Sequence, residues 1–119
     1  MGYKFNEGEG WEVTESDLMR LIQVALSRLG HRLFRNNCGS LKDALGRWLQ
    51  FGVANPGGSD LIGWTKNGRF LALEIKTQNG RVRVEQRAFI AAVRAAGGYA
   101  GIARTVEDAE KIADGIHCD

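Results

Sequence analysis

The segment GRFLALEIKT, Gly68–Thr77, decides the fold of this chain. Leu71, Ala72, Leu73 and Ile75 form a short apolar run, which is typical of a strand buried on both faces. Glu74 and Lys76 nevertheless lie in that strand, although burying a charge costs several kcal/mol unless it is paired or bound to a metal. The two charges therefore need partners where the strand ends.

A β-hairpin supplies one candidate partner. Asn67-Gly68 is a strong hairpin turn signal, and it joins a strand predicted over residues 59–65 to one predicted over residues 69–77. Pairing the strands around this turn places Asp60 opposite Glu74 or Lys76. Glu74 and Lys76 project from one face, about 6.6 Å apart. Two carboxylates and a lysine suit a Mg²⁺ or Mn²⁺ site, and an ion pair at the hairpin end is the alternative.

The surrounding pattern predicts the α/β class, with a small mixed β-sheet flanked by helices. Thr14 caps a first helix, whose apolar residues recur at helical spacing until Gly30 ends it. Further elements are predicted as a short strand over 31–36, a helix over 84–96, a strand over 99–103 and a helix from 105 to about 113. We expect residues 1–13 to form a flexible N-terminal arm and residues 14–119 a single domain. Residues 37–58 give no clear pattern, although WLQFG, residues 48–52, could be a strand.

The charge distribution favours a polyanionic partner. The net charge of the 119 residues is only +2, but between Leu18 and Arg104 there are 14 lysines and arginines against four acids. Such a basic middle indicates nucleic acid, and a solvated surface neutralised by the acidic ends is the alternative. No apolar run approaches a membrane span and no signal segment opens the chain, so we expect a cytoplasmic protein.

Two further sets of residues give weaker signals. His31, His117, Cys38 and Cys118 match no recognised zinc spacing, and the cysteines are expected to be free thiols. Trp48 and Trp64 could stack on bases, with core or dimer packing as the alternative.

The motif GGSD (Gly57–Asp60), a gap of 13 residues and then EIK (Glu74–Lys76) resembles the PD-(D/E)xK nuclease signature. More narrowly, GGSDLIGW…GRFLALEIKTQNGRV…EQRAFIAAVRAAGGYAGIART resembles the VRR-NUC domain family, especially its short stand-alone phage and bacterial members. The likeness runs from Thr14 to about Asp108. Ser59 stands where the signature has proline, and Arg83-Val84 replaces the usual Ser-Pro.

The resemblance implies a restriction-endonuclease-like core and a role for each matching residue. Asp60, Glu74 and the Ile75 carbonyl would bind Mg²⁺ or Mn²⁺, and Lys76 would be the catalytic lysine. Gln86 matches the glutamine of the following helix, and its face-mates Phe89, Ile90 and Val93 predict that its amide points inward. The alternative interpretation is that Gln86 is an ordinary polar residue at the start of a helix, with no functional role.

Glu15 matches the acid of the first helix, as a metal or catalytic residue. It shares the apolar face with Leu18 and Ile22, although acids in a first turn also favour the helix dipole.

The resemblance also implies a metal-dependent, structure-selective DNA endonuclease, such as a Holliday-junction resolvase acting as a homodimer. The alternatives are a catalytically silent DNA-binding module and a structural or partner-binding protein. Basic and polar residues near the site are candidate DNA contacts: Arg32, Arg35, Asn36, Asn37, Arg81, Arg83 and Arg87.

Overall fold

The computed structural model describes the backbone of residues 3–6 and 10–119. In chain order the elements are strands β1 (Tyr3–Asn6) and β2 (Gly10–Val13), helix α1 (Glu15–Arg28), strands β3 (Arg32–Arg35), β4 (Gly39–Lys42), β5 (Trp48–Phe51), β6 (Leu61–Trp64) and β7 (Phe70–Ile75), helix α2 (Val84–Ala95), strand β8 (Tyr99–Ala103) and helix α3 (Val106–Ala113). The main sheet has the order β3-β6-β7-β8, and only the β7–β8 pair is parallel. The predicted α/β class, with a small mixed sheet flanked by helices, is confirmed.

Strand β7 lies in the middle of a three-layer core. On one face, Leu71, Leu73 and Ile75 pack in a cluster with buried residues of α1 and α3. On the other face, Ala72 packs with Ile90 of α2 and with apolar residues of β8. The predicted burial of this strand on both faces is therefore confirmed, and its rigid end can position the charged residues that follow.

Local signals explain the ends of α1. The Thr14 hydroxyl accepts a hydrogen bond from the Asp17 backbone N–H, which satisfies one free donor of the first turn. Leu18, Ile22 and Leu26 recur every four residues and are the buried residues of this helix. Gly30 ends the predicted run with φ of +96°, a conformation that costs glycine little.

The segment expected to be an N-terminal arm contains regular structure. Instead of irregular chain, β1 and β2 form an antiparallel hairpin in which Tyr3 is paired with Val13 and Phe5 with Trp11. Apolar residues alternate along both strands, a period-two signal that the glycine-rich composition obscures. Residues 1, 2 and 7–9 of the expected arm lie outside the described residues.

Residues 37–58, for which the sequence gives no clear pattern, contain a second antiparallel hairpin, β4–β5. Its register places Leu41, Leu49 and Phe51 on one face, and each of these side chains is about half exposed. The Asn55 side chain donates hydrogen bonds to the carbonyls of Gly39 and Phe51, at 2.9 and 3.0 Å. These bonds hold together the open end of the hairpin, at Gly39 and Phe51. Sequence periodicity gives no sign of them.

The sheet face that carries α2 is only partly covered. Phe34, Trp64 and Phe70 lie on the uncovered part and are 53%, 48% and 42% exposed, and Ile62 lies between them in the register. We call these four residues the apolar sheet patch. Trp64 is therefore not a core residue of this chain, and Trp48 on β5 is exposed as well. None of the described helices has the length and apolarity that crossing a bilayer requires.

Candidate active site

The β6–β7 register brings Asp60 and Glu74 together. Leu61 pairs with Leu73 at the last step of the ladder, so the next residues out, Asp60 and Glu74, lie opposite each other. The Asp60 Oδ2 atom accepts a hydrogen bond from the Ile75 backbone N–H at 2.9 Å. Of the two registers that the sequence allows, the structure thus has the one that places Asp60 opposite Glu74.

Glu74 is a buried acid with one unsatisfied oxygen. The residue is 2% exposed, and its Oε1 atom accepts a hydrogen bond from Gln86 Nε2 at 3.0 Å. Its Oε2 atom is buried without a hydrogen-bond partner among the described residues. Burial raises the pKa of Glu74 to about 8, and the neighbouring Asp60 carboxyl adds to this, while Lys76 opposes it. The neighbouring carboxylates therefore resist simultaneous ionisation unless a cation joins them.

Gln86 links this acid to the start of α2. Its Oε1 atom accepts a hydrogen bond from the Arg83 backbone N–H at 2.9 Å, while its amide group donates to Glu74. The residue is buried, as are Ile90 and Val93 on the same helix face. The inward direction of the amide is confirmed. The same side chain also caps the helix, so the two interpretations of Gln86 are compatible.

Glu15 and Lys76 lie within electrostatic range of the carboxylate pair. Burial raises the pKa of Glu15, the charge of Asp60 raises it further, and Lys76 lowers it. Glu15 is half-buried in the first turn of α1, and Lys76 is half-buried directly after β7. Four of the predicted side chains, with Gln86 as a fifth, are thus gathered at one end of the sheet.

The donor set fits a hard divalent cation. Asp60 and Glu74 offer carboxylate oxygens, and the unpartnered Oε2 of Glu74 is the kind of buried group that a cation would satisfy. Within the described part of the chain, however, no group of three or more His, Cys, Asp or Glu side chains could hold a metal ion. Glu15 therefore lies beside the pair without forming a three-residue ligand group with it, and backbone, water or substrate oxygens would have to complete the shell of a bound cation.

A cleft of about 290 Å³ opens beside Asp60 and Gln86. At ~30 Å³ per water molecule it has room for about ten waters or for a phosphate group. Residues from α1, the end of β3, the β3–β4 connection, the loop before β6 and the start of α2 line it: Met19, Arg35, Asn36, Asn37, Cys38, Asn55, Gly57, Gly58 and Arg83. Sequence reasoning missed Met19, Cys38 and Asn55 here, and only the turn-like composition around residues 37–39 and 54–59 gives a hint of the cleft.

The predicted DNA contacts divide into three groups. Arg35, Asn37 and Arg83 line the cleft and are exposed, and Arg81 is exposed on the segment before α2. Arg87 instead lines a different hollow, next to Arg94 and Asp119.

Asn36 and Arg32 are hydrogen-bonded within the chain, and so is Arg35, which donates to the Ser16 carbonyl at 3.0 Å. The Asn36 amide donates to the carbonyls of Val53 and Ser59 and accepts from the Val53 N–H. Arg32 donates to the His31 carbonyl at 2.8 Å. We therefore assign Asn36 to holding the loop before Asp60.

Of the comparisons with known proteins, one identifies a family. No curated protein and no solved structure gives a match. The family model described as VRR-NUC domain matches residues 10–107, which is most of the chain and includes Glu15, Asp60, Glu74, Lys76 and Gln86. The chain therefore belongs to the VRR-NUC domain family.

Proposed function

We propose that this chain is a Mg²⁺- or Mn²⁺-dependent endonuclease that hydrolyses phosphodiester bonds in branched DNA. Membership of the VRR-NUC family supports a nuclease-type function in DNA processing in general. The finer proposal is supported by one observation: the buried Glu74 carboxylate, with an unpartnered oxygen, lies opposite Asp60 at the edge of a cleft. Such a pair is costly for a fold to keep unless a cation uses it.

Each residue has a definite part in the proposed reaction. Asp60, Glu74 and the Ile75 carbonyl hold the cation, which when bound supplies Lewis acidity to the phosphate and lowers the pKa of a water molecule. Lys76 orients that water or stabilises the negative charge that develops on the phosphate. Gln86 keeps the Glu74 carboxylate turned toward Asp60 through its 3.0 Å hydrogen bond. Arg35 and Arg83 at the cleft contact the DNA backbone.

The active form is proposed to be a homodimer. The apolar sheet patch is exposed on the single chain, and contiguous exposed apolar surface of this kind marks interaction sites. Two copies related by a two-fold axis present two active sites, which suits a symmetric four-way junction. The apolar sheet patch supports dimerisation of the chain. The family resemblance supports a four-way junction as the substrate.

A substrate panel tests the proposal. Labelled four-way junction, flap, linear duplex and single-stranded DNA are incubated with Mg²⁺, with Mn²⁺ or with EDTA. We expect cleavage of the branched substrates with either metal and none with EDTA. Cleavage that persists in EDTA would contradict the metal site. Binding without cleavage under all conditions would instead favour a catalytically silent DNA-binding module.

A further inference from the structure

Arg104 holds the turn that follows the candidate catalytic lysine. It comes directly after β8, and its Nη1 atom lies 2.6, 3.4 and 3.2 Å from the carbonyl oxygens of Thr77, Gln78 and Gly80. The side chain is only partly exposed. These three carbonyls belong to one turn. The turn is closed by a hydrogen bond from the Gly80 N–H to the Thr77 carbonyl, at 3.0 Å.

The same turn packs against the aliphatic part of the Lys76 side chain. A Cβ atom placed on Gly80 would lie 3.1 Å from Lys76 Cδ and 3.3 Å from Lys76 Cβ, so the glycine leaves just enough room for the lysine chain. The Lys76 backbone is fixed as well, because its N–H donates to the Ala103 carbonyl at 3.2 Å. The direction of the Lys76 side chain therefore depends on where Arg104 holds Gly80.

We propose that Arg104 is a positioning residue that fixes the Thr77–Gly80 turn and thereby sets the position of the Lys76 ammonium group. This inference rests on the proposed nuclease function. A lysine has a flexible four-carbon stem, so its ammonium group needs a packed wall to stay at one place. Arginine suits the role because its guanidinium is permanently charged and its long side chain brings one nitrogen, Nη1, within 2.6 to 3.4 Å of three carbonyls. A displacement of about 1 Å can cost about 100-fold in rate.

Arg104→Lys is the main test, since it keeps the charge but places the donor nitrogen one bond short of the position of Nη1. Arg94→Lys is the matched control, because Arg94 on α2 is also partly buried. It also donates to a backbone carbonyl, that of Ala100 on β8. Gly80→Ala is the second variant: it crowds the Lys76 stem while Arg104 still holds the turn. Four quantities are measured: single-turnover cleavage at saturating DNA, the DNA Kd in EDTA, the amide hydrogen exchange of residues 77–80, and the acylation rate of Lys76 by an amine-reactive reagent.

We expect Arg104→Lys and Gly80→Ala each to lower the cleavage rate by about tenfold or more, with the DNA Kd within about twofold of the wild type. Arg94→Lys should leave both unchanged. Amide hydrogen exchange of residues 77–80 should accelerate in Arg104→Lys only, and the acylation rate of Lys76 should change in both test variants.

Wild-type cleavage by Arg104→Lys, or equal loss of Kd and rate, would overturn the proposal. If the wild type cleaves no DNA at all, the nuclease function fails. The exchange and acylation rates then still decide the positioning role, and unchanged values in Arg104→Lys overturn it.

Discussion

Replacing Glu74 by glutamine is expected to stabilise the chain at high pH in the absence of metal. The pKa of Glu74 is raised to about 8 in the folded protein, from an ordinary value of 4.5, mainly because the group is buried. Between these values the folded state keeps a proton that the unfolded state has released. Stability is therefore fully present below pH 4.5 and falls as the pH rises toward 8.

The size of this loss follows from the shift. At about 1.4 kcal/mol per pKa unit, the wild type should lose about 3 to 4 kcal/mol of stability between pH 5 and pH 8 through this residue. Glutamine has nearly the same shape and does not titrate, and its amide can donate to Asp60 while its oxygen still accepts from Gln86. The Glu74→Gln variant should therefore lack this loss.

Urea unfolding in EDTA, measured from pH 5 to pH 8, checks the prediction. Glu107→Gln, at an exposed glutamate in the first turn of α3, is the matched control and should follow the wild type. Adding Mg²⁺ at pH 8 should stabilise the wild type, by about 2.7 kcal/mol at 100 times the Kd, and should stabilise Glu74→Gln much less. Parallel stability-versus-pH profiles for the wild type and Glu74→Gln would refute the assignment of Glu74 as a buried acid with a raised pKa.

Two other substitutions test the loop before Asp60 and the proposed dimer interface. Asn36→Ala removes the hydrogen bonds to Val53 and Ser59, so urea unfolding should show a loss of about 1 to 3 kcal/mol, and an unchanged stability would contradict its structural role. Trp64→Lys places a charge in the apolar sheet patch and should shift a dimer to a monomer in sedimentation experiments, whereas Lys42→Gln on β4 should not. A Trp64→Lys protein that sediments as a dimer would show that the interface lies elsewhere.

Local and periodic signals were enough to predict the centre of the fold. The Asn67-Gly68 turn, with a strand pattern on both sides, determines the hairpin within one residue, and the hairpin in turn brings Asp60 to Glu74. Helical spacing placed Gln86 on an inward face, from which its amide reaches Glu74. These inferences succeed because each depends on residues that are close in sequence or on one regular period.

The rest depends on contacts between distant parts of the chain. Asn36 and Arg32 stay predicted DNA contacts, and their hydrogen bonds to backbone groups within the chain are ones that no sequence pattern reveals. The sequence offers β5 only as a possible strand and gives no sign of β4, because the apolar residues of this hairpin stay half exposed and burial imposes no clear alternation. Arg104 gave no signal either, since its carbonyl partners lie 24 to 27 residues earlier.

The central claim is that Lys76 acts in metal-dependent cleavage at the Asp60–Glu74 pair. Single-turnover cleavage of a labelled four-way junction with Mg²⁺ tests it most directly, together with the DNA Kd of each variant measured in EDTA. Lys76→Ala and Asp60→Asn should abolish cleavage and still bind the junction, while Lys66→Ala, at an exposed lysine in the hairpin turn, should cut like the wild type. Wild-type cleavage by either Lys76→Ala or Asp60→Asn would contradict the account.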